Sequence, residues 1–215
     1  RINIKDAQAD KLVAQFPNVE RISFIGGEPT ISDEHVRYLR KLIEAGRSSN
    51  IKISYVTNLT GINDELVELW KHFKHVHVAV SIDAYGKVNE YIRYPFKWQK
   101  VEANLRNLFQ MVLDSENGII DARITASLSC TVSMYNAIQC FDLLEFWFNL
   151  TTEYGNETNS IIDGTGCFVN CVSNPEHALV SLLSAEYRQQ GIDKGNDLLE
   201  KIAIYESNNP AKSVN

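Results

Sequence analysis

Residues 22–29 read Ile22-Ser23-Phe24-Ile25-Gly26-Gly27-Glu28-Pro29, and the pattern around them sets the fold. A short β-branched and aromatic run broken by two glycines, a carboxylate and a proline is a strand ending in a forced turn. The glycines leave the backbone bare, so its N–H and C=O groups stand open to a ligand that side chains would hold off. Glu28 adds one carboxylate at that opening. Taken alone, these residues are equally a tight strand-to-helix turn with an exposed acid.

The same punctuation recurs along the chain. A helix is expected over 6–16, with Ala9, Leu12, Val13 and Phe16 at helical spacing. Ser32 takes the cap position of a second helix whose inner face is Val36, Leu39, Leu42 and Ile43, and Gly46 closes it. A strand over 51–56 stops at Thr57-Asn58, and Asn63 caps the helix after it. A third strand over 76–80 stops at Ser81-Ile82-Asp83; a loop with Tyr91, Arg93 and Pro95 leads to a helix over 97–112. A fourth strand follows over 122–132. The helix over 138–150 carries Phe141, Leu144, Phe146, Trp147 and Phe148, an apolar arc wide enough to suggest a second domain packed against it. A fifth strand over 166–172 precedes Asn174 and Pro175, expected as N-cap and first residue of a helix, with helices over 178–190 and 196–206. Strands alternating with helices are βαβ units in a parallel sheet, either doubly wound or an incomplete α/β barrel.

Bulk properties narrow the function. The chain has 215 residues, 44% of them hydrophobic, enough to bury a sizeable core. A formal net charge of −6 argues against nucleic acid or an anionic membrane as the main partner. No apolar run reaches the roughly 18 residues of a membrane span. Four cysteines, Cys130, Cys140, Cys167 and Cys171, are too scattered for a disulfide framework, so a reduced, cytoplasmic setting is expected. His72, His75 and His77 are expected at a solvated helix end and strand start, not as a metal site. Cys167 and Cys171 have equal parity in the last strand and are expected to be structural. The chain opens on Arg1 without a methionine and closes on a polar tail over 207–215. It is expected to be part of a longer protein: a core over 1–206 and a linker over 207–215 towards a further extension.

In a parallel α/β sheet the working site lies at the carboxyl ends of the strands, and the distinctive polar residues fall there. Gly26-Gly27-Glu28-Pro29, Asn58, Ser81, Asp83 and Arg93 supply bare backbone, two carboxylates, an amide, a hydroxyl and a guanidinium. That set suits a zwitterionic, hydroxyl-bearing small molecule, with Glu28 and carbonyls accepting from an ammonium and Arg93 forking onto a carboxylate. The chain carries no Gly-x-Gly-x-x-Gly fingerprint, phosphate-binding loop, nucleophile elbow or His-Glu-x-x-His helix.

The order Gly-Gly-Glu-Pro at 26–29, Thr57-Asn58, and Ser81-Ile82-Asp83 with Arg93 downstream resembles the radical S-adenosylmethionine enzymes. The run Phe168-Val169-Asn170-Cys171, then Asn174-Pro175-Glu176-His177, resembles members with a C-terminal twitch or SPASM extension. The resemblance implies a partial (β/α)6 barrel, truncated at its N-terminus, that binds S-adenosylmethionine. The glycine turn and Glu28 would hold the methionyl ammonium and Arg93 the carboxylate, with Ser81 near the carboxylate or ribose and Asp83 and Asn58 lining the same rim. Residues 130–132 would pack against adenine. The resemblance also implies a [4Fe–4S] cluster that cleaves the cofactor to a 5′-deoxyadenosyl radical for hydrogen abstraction. Its Cys-x-x-x-Cys-x-x-Cys loop is expected upstream of Arg1, and the chain alone is expected to be inactive. An electron donor such as a flavodoxin or ferredoxin and a small-molecule or peptide substrate are implied. Two other readings stay open: a degenerate S-adenosylmethionine-binding barrel acting as a binding module, and an ordinary α/β-barrel aldolase or isomerase.

Overall fold

The computed structural model describes residues 6–155 and 166–209. Its frame is one sheet of five strands, β1 (Arg21–Phe24), β2 (Lys52–Thr57), β3 (His75–Ser81), β4 (Arg123–Val132) and β5 (Gly166–Cys171). All pairs are parallel and the order is β1-β2-β3-β4-β5. Consecutive order is that of strands around a barrel; a doubly wound sheet reverses at a switch point. The crossovers are α2 (Asp33–Glu44), α3 (Asp64–Trp70), α4 (Gly86–Ile92) with α5 (Trp98–Glu116), and α6 (Cys140–Glu153). Helix α1 (Asp6–Gln15) precedes β1, and α7 (Ala185–Asn208) follows β5.

Strand alternation divides the sheet into two unlike faces. Ile22, Ile53, Val76 and Ile124 share one register row, and Val78 and Ala126 another; both belong to the apolar core under the helices. Trp70 on α3 is fully buried there, its ring 5.3 Å from that of Tyr55. The opposite face is polar. Ser23 bonds Ser54 across β1 and β2 at 2.8 Å. Thr125 on β4 lies 2.8 Å from His75 Nε2 and 2.9 Å from His77 Nδ1, and His77 Nε2 meets Ser127 at 3.1 Å. His75 and His77 are thus both strand residues on the inner face, not a solvated helix end. Burial holds both below the ordinary histidine range, His75 at about 4.

Local chemistry explains the element ends and several departures from expectation. Asn63 caps α3, its Oδ1 accepting from Leu66 N at 2.9 Å, and Gly46 closes α2 at φ 67°. Ser32 occupies the cap position of α2, but its hydroxyl donates to Glu34 at 2.7 Å instead of capping an N–H. The loop expected before α5 contains helix α4, with Arg93 at its C-cap. Pro175 follows a cis peptide bond and stands before a short 3-10 turn, Glu176–Ala178, rather than opening an α-helix. The helix expected from 178 starts only at Ala185, after a second 3-10 turn, Val180–Leu182; from there the two expected helices are one, α7, which also takes in residues 207 and 208 of the expected linker, and residues 210–215 lie outside the described residues. Helix α7 packs on the wide apolar arc of α6, so part of that arc is covered by the chain itself. Phe148 meets Tyr205 edge to face at 5.4 Å, Lys194 pairs with Asp142, and a Cβ on Gly195 would stand 3.0 Å from Phe141.

Candidate functional site

At the carboxyl end of β1 the chain turns through Gly26 at φ 85° and Gly27 at φ 58°. Both angles are left-handed conformations that side chains disfavour. A Cβ built on either glycine would meet nothing within 4 Å, so this backbone faces open space. Glu28 does not hang free over the opening. Its Oε1 accepts from Thr30 N at 3.3 Å, the Thr30 hydroxyl at 2.6 Å and the Thr57 hydroxyl at 2.5 Å. Its Oε2 accepts from Asn58 N at 2.8 Å. The carboxylate therefore ties the β1 turn to the end of β2, and Oε2 keeps a lone pair for a further donor. Pro29 is buried at the start of the 3-10 turn that follows.

Asn58 points its Oδ1 at Thr60, N at 3.0 Å and hydroxyl at 2.6 Å, which leaves its amide nitrogen without a bond among the described residues. The next residue, Leu59, is fully buried at φ 65°, and its carbonyl accepts from Asn104 at 2.6 Å. A left-handed leucine is uncommon, and the surrounding bonds hold it there.

The end of β3 carries the complementary charge. Arg93 Nε donates to Asp83 Oδ2 at 2.7 Å, and its Nη2 donates to the Ser81 hydroxyl at 3.0 Å. The Asp83 side chain is 11% exposed and that of Arg93 25%. Nη1 makes no hydrogen bond among the described residues, so one edge of the guanidinium is available. Asp83 Oδ1 accepts from Thr131 N at 3.0 Å, which joins β3 to β4 as Glu28 joins β1 to β2. Two asparagines outside the expected set fix this loop. Fully buried Asn136 donates to the carbonyls of Asp83 at 2.5 Å and Thr131 at 3.0 Å while accepting from Ser133 N at 2.7 Å. Asn89, also fully buried, accepts from Asp83 N at 3.3 Å.

All eight expected residues thus stand at the carboxyl ends of β1, β2 and β3, on one rim. With strands about 4.8 Å apart, the β1 and β3 ends are separated by about 10 Å. Thr30, Thr57, Thr131, Asn89 and Asn136 complete the arrangement. A signal for Asn136 was present: Ser133 and Asn136, three apart after a strand, form a side-chain turn.

The cysteines do not fit an iron–sulfur cluster. Among the described residues no group of three or more histidines, cysteines or carboxylates is placed to hold a metal. Cys130 and Cys140 are buried; burial lifts their thiols to about 12 and about 11, and the charge of Asp83 adds to the lift at Cys130. Cys167 and Cys171 share register with Leu128 and Val132, on the side of the sheet away from the histidines. The rim does fit S-adenosylmethionine: bare backbone and a carboxylate with spare capacity at one end, free guanidinium and amide donors towards the other.

A family model described as the radical SAM superfamily matches residues 5–120, more than half of the chain. No curated protein matches. Among solved structures, SuiB of Streptococcus suis bound to S-adenosylmethionine aligns at TM-score 0.55 and 16% identity, covering 97% of this chain and 40% of that one. The complex of SuiB with its precursor peptide SuiA aligns at TM-score 0.55 and 16% identity, over 99% of this chain and 42% of that one. The chain therefore spans about two fifths of the length of these structures, and at such identity the likeness is one of fold.

Proposed function

The chain belongs to the radical SAM superfamily, and from that premise we propose that it is the cofactor-binding barrel of a radical S-adenosylmethionine enzyme. The carbonyls of Gly26 and Gly27 and the spare lone pair of Glu28 accept from the methionyl ammonium, with Pro29 ending the turn. Arg93 donates to the methionyl carboxylate through its free edge; Asp83 and Ser81 hold the guanidinium in place. Asn58 offers its amide to the same pocket. Gly26, Gly27, Glu28 and Arg93 would hold S-adenosylmethionine at this rim, where, together with a [4Fe–4S] cluster, it would supply hydrogen-abstraction chemistry. In this reading the four cysteines present are not the ligands of that cluster. A flavodoxin or ferredoxin would deliver the electron. A peptide substrate is favoured over a free small molecule because SuiB, similar in fold, binds a precursor peptide. A twitch or SPASM extension and a cytoplasmic setting belong to the same reading.

The observation that carries this reading is the guanidinium of Arg93, fixed on two sides by Asp83 and Ser81 and free on the third. Titration calorimetry tests it. Arg93→Ala is expected to weaken S-adenosylmethionine binding by about 1.5–3 kcal/mol, the range of hydrogen bonds to charged groups. Unchanged affinity removes Arg93 from the site, and absence of binding by the parent chain removes the reading. Anaerobic iron and sulfide reconstitution of the full-length protein, followed by a 5′-deoxyadenosine assay, separates an enzyme from a degenerate binding barrel.

A further inference from the structure

The inner sheet face carries a second constellation, at the end away from the cofactor rim. Arg21, Lys52, His75 and Arg123 occupy one register row across β1, β2, β3 and β4. Parallel register partners project to the same side. That side is the inner one, because Ser23 bonds Ser54 two residues along β1 and β2, and His75 bonds Thr125 two residues along β4. At about 4.8 Å between strands the row is about 14 Å long.

Among the described residues the row is positive and has no carboxylate partner. Arg21, Lys52 and Arg123 make no ion pair among the described residues, and Glu20 and Asp121, the carboxylates nearest in sequence, bond none of them. Elsewhere in this acidic chain Arg40, Lys41, Lys71, Arg93, Arg106, Lys194 and Lys201 all have carboxylate partners. Like charges on neighbouring strands destabilise a sheet, so the row has an electrostatic cost that an anion would offset. His75 responds to the same field. Burial first, then the charges of Arg123, His77 and Lys52, lower its pKa to about 4, so it enters the row as a neutral hydrogen-bonding group.

We propose that this row is a docking surface for an extended, acidic segment of a partner polypeptide, lying across the amino ends of β1 to β4. A small anion could meet two of the three cations at most. A nucleic acid would continue past the row onto the surface of a chain with net charge −6, where its repeating phosphates are repelled. A short run of carboxylates matches both the length and the sign. Same-side residues of an extended chain recur about every 6.8 Å, a spacing that flexible arginine, lysine and glutamate side chains bridge.

The test is fluorescence anisotropy of a labelled hexaglutamate peptide with the whole chain at low ionic strength. Saturable binding is expected, absent for hexalysine. The combined Arg21→Glu, Lys52→Glu and Arg123→Glu substitutions should weaken it by about tenfold or more, as three lost exposed pairs imply. The single Arg123→Gln change should weaken it about threefold; it keeps the test decisive if the triple variant fails to fold by circular dichroism. No binding of hexaglutamate, equal binding by either folded variant, or equally tight binding of hexathymidylate overturns the proposal. The triple variant should bind S-adenosylmethionine as the parent does, and Arg93→Ala should bind hexaglutamate as the parent does. The two surfaces can therefore fail separately.

Discussion

The two halves of the rim solve one mechanical problem in the same way and end with opposite electrostatics. In each, a carboxylate after one strand accepts an N–H at the end of the next: Glu28 from Asn58 between β1 and β2, Asp83 from Thr131 between β3 and β4. The difference lies in the other oxygen. Glu28 spends it on the neutral hydroxyls of Thr30 and Thr57, so its half stays anionic beside bare carbonyls. Asp83 spends it on Arg93, so its half is a neutral pair with unused N–H donors. A zwitterion has one favourable orientation across such a rim, ammonium towards β1 and carboxylate towards β3.

The largest break should come from the anionic half. Glu28→Ala leaves four part-buried donors without their acceptor, and at about 1 kcal/mol each the loss is about 4 kcal/mol. Urea unfolding would register it, and calorimetry should find no S-adenosylmethionine binding. Acid should act on the same half next. His35 lies against Phe24, the last residue of β1, at 4.5 Å between rings and bonds the Tyr55 hydroxyl at 2.8 Å. Burial lowers its pKa from 6.5 to about 4. The folded state thus favours neutral imidazole: the stabilisation is complete above pH 6.5 and is lost as pH falls towards 4. About 3 kcal/mol is at stake, read as a falling urea midpoint, and His35→Gln should flatten that part of the slope. His75 and His77 act in the same direction.

In the paired half, Asp83→Ala should cost about 2 kcal/mol, less than a fully buried pair because Arg93 keeps some solvent. Adding Arg93→Ala should recover part of it, which a double-mutant cycle detects. Thr57→Val is the smallest change. It removes one hydroxyl donor to Glu28 and the acceptor of Leu59 N and should cost about 1–2 kcal/mol, with S-adenosylmethionine affinity reduced and not abolished.

Much of this was legible in the sequence because both periods are strong there. The strand over 76–80 and the polar stops after β1, β2 and β3 are plain in the sequence, whereas His75, which opens β3, reads there as a helix end. What escaped has physical causes. Helix α4 has no side-chain cap and no long apolar stripe, so Gly86–Ile92 passed for loop. Gly191 and Gly195 lie between the helices expected over 178–190 and 196–206, whereas in α7 Gly195 lets Phe141 of α6 approach closely. The support given by Asn89 and Asn136 depends on burial, which a single polar letter does not reveal. The wide arc of α6 was correctly apolar, but part of its cover came from the same chain.

The hydroxyl of Thr125 has a single proton and two imidazoles beside it. If it donates to His77 Nδ1, His75 must offer Nε2–H and His77 in turn donates from Nε2 to Ser127; the alternative reverses every bond. Only these two senses use all the protons, so the tautomers of the two histidines are chosen together. Nitrogen chemical shifts of His75 and His77 should therefore report a matched pair, and a group docking beside one ring would set the tautomer of the other.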